Sequence, residues 1–172
     1  VIGGIDFLRK VVRNEDIDLG KNVAIVGGGN TAMDACRTAV RLGADKVYNI
    51  YRRTKDEMPA DMIEIEEAEE EGVIFLNLTN PLEIISDENG HCRQMVLQVM
   101  ELGEPDASGR RAPVPVEGKT ETIDVDTVIL AIGQRVNAEG MNGVELTRKG
   151  GLVYDKDTYM TALPGVFAGG DC

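Results

Sequence analysis

Tryptophan is absent from the 172 residues, and only four tyrosines and three phenylalanines are present. A chain this poor in aromatic rings lacks the stacking platform used to hold single-stranded nucleic acid. Basic residues are also in the minority: 18 lysines and arginines stand against 30 acidic residues, for a formal net charge of −12. That balance excludes non-specific attraction to nucleic acid or to an anionic membrane. Any anionic ligand must be held by local positive groups against an unfavourable overall field. No apolar run approaches the ~20 residues of a membrane-spanning helix. The N-terminus, Val1-Ile2-Gly3-Gly4-Ile5-Asp6, has neither an initiator Met nor a basic region followed by an apolar one. It reads as the start of an excised piece. Length suits one domain, or one domain with part of a second.

Cysteine is scarce too. Cys36, Cys92 and Cys172 form no C-x-x-C, and no Cys/His cluster has metal spacing. The expectation is three reduced thiols in a cytoplasmic protein, and no metal. Cys36 falls on the packing side of a predicted helix. The single histidine, His91, sits between Gly90 and Cys92 and reads as a solvated turn residue. No side chain stands out as a nucleophile or general base.

What is present is organised around residues 23–34. A short apolar strand over 23–27 runs into Gly27-Gly28-Gly29-Asn30-Thr31-Ala32-Met33-Asp34, a G-x-G-x-x-A turn on Gly27, Gly29 and Ala32. Gly27 permits the sharp exit from the strand. Gly29 leaves room for a pyrophosphate, and Ala32 lets the helix pack close. The helix N-terminus offers free N–H groups and partial positive charge to phosphates. A helix over 31–42 packs through Ala32, Cys36, Ala39 and Val40 and stops at Gly43. A second strand over 46–51 completes a βαβ unit. Where that strand ends, NAD enzymes usually carry an acidic residue for the ribose 2′-hydroxyl. Here stand Tyr51-Arg52-Arg53. Guanidinium groups pair with a 2′-phosphate, so Arg52 and Arg53 favour NADP over NAD, with Lys55 as a weaker candidate.

Around this unit, residues 5–12 carry helical spacing. A further helix is expected to start near Pro59 and run to Glu71, with Met62, Ile65 and Ala68 as its apolar stripe and a solvated acidic face of Glu64, Glu66, Glu67, Glu70 and Glu71. A third strand spans 73–76. The pattern then alternates over 82–86, 94–102 and 120–125, which predicts an antiparallel meander. Residues 109–115 read as a basic surface loop. An apolar strand over 127–132 closes at Gly133 and returns to the parallel sheet beside the first strand. A hairpin-like stretch follows at 151–155. The predicted fold class is therefore α/β: a Rossmann-like parallel sheet with helices and an antiparallel three-stranded meander.

Several stretches taken together resemble one family. They are Gly27 to Asp34, Arg41-Leu42-Gly43-Ala44, Tyr51-Arg52-Arg53 with Glu57-Met58-Pro59-Ala60, and Gly103-Glu104-Pro105-Asp106 with Gly109-Arg110-Arg111. Further on, the segment from Asp126 through Ala131-Ile132-Gly133 to Gln134 and the segment from Gly165 to Asp171 match as well. The chain looks like the small (beta) subunit of NADPH-dependent glutamate synthase. It is similar also to the NADPH-oxidising half of dihydropyrimidine dehydrogenase and the large subunit of bifurcating ferredoxin:NADP oxidoreductases. A Pro commonly found two positions after the A-I-G-Q segment in this family is Val136 here.

The resemblance implies a nucleotide domain inserted into an FAD domain. Residues 1–20 would connect from the FAD domain, 21–134 would form the NAD(P)H domain, and 135–172 would begin the second FAD segment. It implies that Ala131, Ile132 and Gly133 join the two near the cofactors. It also implies that Asp171 hydrogen-bonds the flavin, with Gly170 allowing close approach. Cofactor contacts are expected from Gly27, Gly28, Gly29, Asn30, Thr31, Ala32, Asp34, Arg52 and Arg53. The implied cofactors are NADP(H) and FAD, the latter held mostly by sequence outside this chain. The implied partners are that FAD domain and a large subunit or iron–sulfur electron-transfer protein. No earlier glycine turn for FAD and no cysteine-rich iron–sulfur segment is present here. The implied activity is hydride transfer from NADPH to flavin, with little turnover from this piece alone. An NADH-specific homologue and a non-catalytic nucleotide-binding module are the alternatives. A thioredoxin-reductase-like enzyme would need a redox C-x-x-C.

Overall fold

Val23 and Ile25 of strand β2 (Asn22–Val26) point to one side, Ala24 and Val26 to the other, and all four are buried. A strand covered on both faces has no polar side, which is why its sequence is a continuous apolar run. This strand is the centre of a five-stranded parallel sheet in the computed structural model of the chain, which describes residues 1–105, 111–134, 136–148 and 150–170. The chain divides into two units, Val1–Ile132 and Gly133–Cys172.

In the first unit, β1 (Ile2–Gly3), β8 (Thr127–Leu130), β2, β3 (Lys46–Tyr51) and β4 (Ile74–Asn77) lie in that order, every neighbouring pair parallel. Residues 1–20 contribute β1 and helix α1 (Gly4–Val12), whose Phe7 is fully buried. Helices α1, α2 (Asn30–Arg41) and α3 (Met62–Glu70) supply one apolar layer with Phe7, Met33, Cys36, Ile65 and the odd-numbered side chains of β2. The opposite face is covered by an antiparallel sheet of β5 (Thr79–Ser86), β6 (Cys92–Pro105) and β7 (Arg111–Asp124), with Met95 and Leu97 buried against Ala24, Val26, Ile50 and Val128. The three layers and the meander are those expected from the alternation of residue types. The strand over 127–132 does return beside β2, ending at Leu130.

Four local expectations change. Pro59 does not start a helix: residues Lys55–Glu57 make a 3-10 turn and Asp61 is the N-cap of α3. Met62 is exposed, while Ile65 and Ala68 are buried, so the apolar stripe is narrower than expected. Residues 111–115 are not a loop but the start of β7, paired with the far end of β6 at the sheet edge, where prolines 113 and 115 are tolerated. Residues 106–110, including Arg110, lie outside the described residues. The acidic face of α3 is not simply solvated. Arg37 on α2 donates to Glu71 (2.8 Å) and Glu64 (2.8 Å) and pairs with Glu67 (2.6 Å), Arg41 also donates to Glu71, and Lys55 pairs with Glu69. The Arg37 side chain is 16% exposed. Sequence periodicity could not show this network, because α2 and α3 become neighbours only when both pack on the sheet.

The second unit has no long ladder among its described residues. Isolated bridges join Leu146 to Leu152, Tyr154 to Thr161 and Met160 to Phe167, and the Tyr154 and Tyr159 rings stack at 5.9 Å. The Thr158 hydroxyl and amide hold the Asp155 carboxyl below the usual range. No helix among the described residues is long and apolar enough to cross a membrane, and no group of His, Cys, Asp and Glu among them could hold a metal ion.

The hydrogen bond from Arg41, supported by Arg37, lowers the Glu71 carboxyl below its ordinary value, against a smaller opposing effect of desolvation. A depressed carboxylate adds stability that is present above its unfolded pKa of about 4.3 and is lost as pH falls through the native pKa. Glu71→Gln should therefore lower the melting temperature at neutral pH. The gap to wild type should close as pH drops below about 4. Thermal melts followed by circular dichroism across that range test this; a gap that stays constant with pH refutes it.

Candidate functional site

The chain leaves β2 toward β3 and β4 on one side and returns on the other through β8. Ligands of open α/β sheets bind where the strand order reverses in this way, outside the carboxyl ends of the strands. The glycine turn stands at that point, between β2 and α2.

Each glycine answers a different constraint. Gly27 has φ +143°, and a Cβ on it would lie 2.3 Å from the Ala131 carbonyl oxygen. That neighbour is backbone and cannot yield. A Cβ on Gly28 would lie 2.6 Å from the Tyr51 ring, whose hydroxyl is held by the Glu57 carbonyl at 2.9 Å. Gly29 is the N-cap of α2, and its side is open: the nearest atom to an added Cβ is Pro59 Cγ at 4.0 Å. Ala32 is fully buried. Tight packing thus surrounds Gly27 and Gly28, while space for a ligand lies over Gly29. Among the described residues, no acceptor takes the N–H of Gly28 or of Gly29.

The turn is fastened on three sides. Asn30 Nδ2 donates to Asp61 Oδ2 (3.1 Å), and the Asp61 amide donates to Asn30 Oδ1 (2.8 Å). The Ala60 amide donates to the Gly28 carbonyl (3.1 Å). Beneath the turn, the fully buried Asn49 donates from Nδ2 to the Gly27 carbonyl at 2.9 Å. The same amide lies 3.8 Å from Cys36 Sγ, and burial pushes the Cys36 thiol up to about 12, with the Asn49 contact opposing. Cys36 is therefore a packed core thiol, as its helix position suggested.

Arg52 and Arg53 follow β3 but differ in setting. Arg52 is exposed. Arg53 is only 9% exposed, its Nε is buried without a hydrogen-bond partner, and no carboxylate among the described residues pairs with it. A buried N–H without an acceptor is costly, and this one is left open to an acceptor from outside the chain. Lys55 is engaged by Glu69 and is not available to the same anion. Thr31 is half-buried and Asp34 exposed, both within the first turns of α2. Ala131 packs against Gly27 and Gly4, whereas Ile132 is 71% exposed. Gly133 and Gly170, both at positive φ, belong to the second unit, and Asp171 lies outside the described residues. His91 is exposed in its turn, beside Asp87 at 3.4 Å.

Asn49, Tyr51, Ala60 and Asp61 are not singled out as site residues by sequence reasoning. Only Asn49 leaves a signal: a carboxamide inside the otherwise apolar strand Val47-Tyr48-Asn49-Ile50. Such a residue must find a partner when buried.

The profile of the family described as pyridine nucleotide-disulphide oxidoreductase matches residues 1–172, and the chain belongs to that family. It is 46% identical over 172 residues to the NADP(+)-dependent formate dehydrogenase subunit beta of Moorella thermoacetica, covering 99% of this chain and 24% of that protein. It is 40% identical over 158 residues to the glutamate synthase [NADPH] small chain of Escherichia coli, covering 88% of this chain and 34% of that protein. The chain thus spans a quarter to a third of these relatives. Thioredoxin reductase of T. acidophilum superposes with a TM-score of 0.69 at 21% identity, over 89% of this chain and 44% of that one, which shows the shared fold.

Gly28→Ala should cost about 1–3 kcal/mol through overpacking against Tyr51. A double-mutant cycle with Tyr51→Leu should return a coupling of at least ~0.5 kcal/mol, because removing the ring removes the clash. Additive losses by urea unfolding would contradict the contact.

Proposed function

We propose that this member of the pyridine nucleotide-disulphide oxidoreductase family is the NADPH-binding domain of a flavin-dependent oxidoreductase of the glutamate synthase small-chain type. The observation that carries the reading is Arg53. Its guanidinium, two residues beyond β3 and with an Nε that is buried without a partner, supplies what a 2′-phosphate needs. Exposed Arg52 adds a second cation at the rim. The pyrophosphate is assigned to the open side of Gly29, with the N–H groups of Gly28 and Gly29 and the N-terminus of α2 around it. These features fit NADP(H) on the chain's own atoms.

For FAD, the described residues of the second unit hold no buried polar atom left without a partner. Membership of the family supports FAD as the second cofactor. Bound NADPH supplies a hydride from its nicotinamide. The residues described here bind and orient: Arg53 selects the phosphate, the turn fixes the pyrophosphate, and Gly27 brings β2 and Ala131 close at the switch point. No side chain is required as nucleophile or general base, since the chemistry belongs to the cofactors.

The acceptor, the large-subunit or iron–sulfur partner and the assembly belong to sequence outside these residues, as does most of the FAD site. Support for a subunit role comes from the names of the relatives, which are small or beta chains. A cytoplasmic setting is part of the same reading, supported by Cys36 and Cys92, both free.

Equilibrium titration of the chain with NADPH and NADH should show a clear preference for NADPH. Arg53→Met should weaken NADPH about 10- to 100-fold, the loss of one charge-assisted contact, and leave NADH within a factor of about two. Equal affinity for the two nucleotides in the wild-type chain refutes the reading.

A further inference from the structure

The Gly27–Gly28 peptide is trans, as are all peptide bonds described. Across a trans peptide the carbonyl and the following N–H point in opposite directions. The hydrogen bond from Asn49 Nδ2 to the Gly27 oxygen (2.9 Å) therefore sets the direction of the Gly28 N–H as well. Asn49 is fully buried, on the same face of β3 as Val47 and on the helix side of the sheet. The Gly28 N–H is directed away from it and has no acceptor among the described residues. The Ala60 amide does the same for the next peptide: by holding the Gly28 oxygen it directs the Gly29 N–H. Glycine peptides are otherwise the freest in the chain, and a turn built from three of them has little local resistance to rotation of its peptide planes.

We propose that Asn49 is a positioning residue of the dinucleotide turn, which aims the Gly28 N–H at the ligand's pyrophosphate by holding the opposite end of the same peptide. The proposal rests on the NADPH reading of the turn. Asn49 itself does not touch the ligand. Its polarity inside an apolar strand follows from this role. A Val or Ile at position 49 would satisfy the core equally well but would leave the Gly27 carbonyl buried and unpaired. The Asn49 Oδ1 remains buried without a partner, a further cost that packing alone does not explain.

The test compares two probes on the full chain by calorimetry. NADP+ carries both the 2′-phosphate and the pyrophosphate, whereas 2′-AMP carries only the former. Asn49→Leu removes the donor and keeps the branching of the side chain, and Asn49→Val does so with a smaller, strand-favouring residue should the Leu variant not fold. NADP+ should weaken about tenfold, the scale of one lost hydrogen bond, with 2′-AMP unchanged within about twofold. Equal weakening of both probes, no weakening of either, or a chain that folds with neither replacement overturns the proposal. Failure of the wild-type chain to bind either probe is a different result: it overturns the NADPH reading itself.

Discussion

At Gly27 the backbone of β2 passes the Ala131 carbonyl with no room for a methyl group, the clearance for an added Cβ being 2.3 Å. That contact ties together the two strands on either side of the switch point, β2 and β8, at the place where the chain turns into α2. Because the obstacle is main chain, no side-chain rearrangement can relieve it. The positive φ of Gly27 is a separate demand on the same residue. The geometry of the glycine turn therefore depends on Gly27 for two independent reasons. From it follow the position of Gly28 over Tyr51, the start of α2 at Asn30 and the open side of Gly29.

Charge is distributed with comparable economy. An acidic protein that binds a polyanion must keep some cations unpaired. On the helix side, Arg37, Arg41 and Lys55 are all engaged by glutamates of α3 and its C-terminal cap. These pairs are partly exposed and screened, so their role is to hold α3 against α2 more than to add large stability. Arg53 lies outside that network. Its Nε is buried without a partner, which is what favours it as the contact for the proposed 2′-phosphate. The segment between β3 and α3 links the sites proposed for the 2′-phosphate and the pyrophosphate: Arg53 lies near its start, and Ala60 and Asp61 close it on the glycine turn.

Much of the fold is legible along the chain because strand and helix periods differ. The apolar run 23–27, the small residues Ala32, Cys36 and Ala39, and Gly43 mark the βαβ unit, and the alternation after residue 82 marks the meander. The departures share one cause. Periodicity interprets Pro59, Met62 and the glutamates of α3 along the chain, whereas their roles come from neighbours distant in sequence. Pro59 sits beside Gly29, and Glu64, Glu67 and Glu71 meet Arg37. Residues 111–115 resemble a loop because prolines break central strands, yet an edge strand accepts them.

Residue identity by itself determined the βαβ unit, the glycine turn and the pair of arginines beyond β3, because glycine spacing, hydrophobic period and charge type are local properties. The tertiary structure alone decided which arginine is buried, that Lys55 is engaged by Glu69, and that a carboxamide in the middle of β3 holds the turn from beneath. Those facts depend on which side chains meet across layers. Burial and pairing are set by neighbours tens of residues away, and no window along the chain contains them.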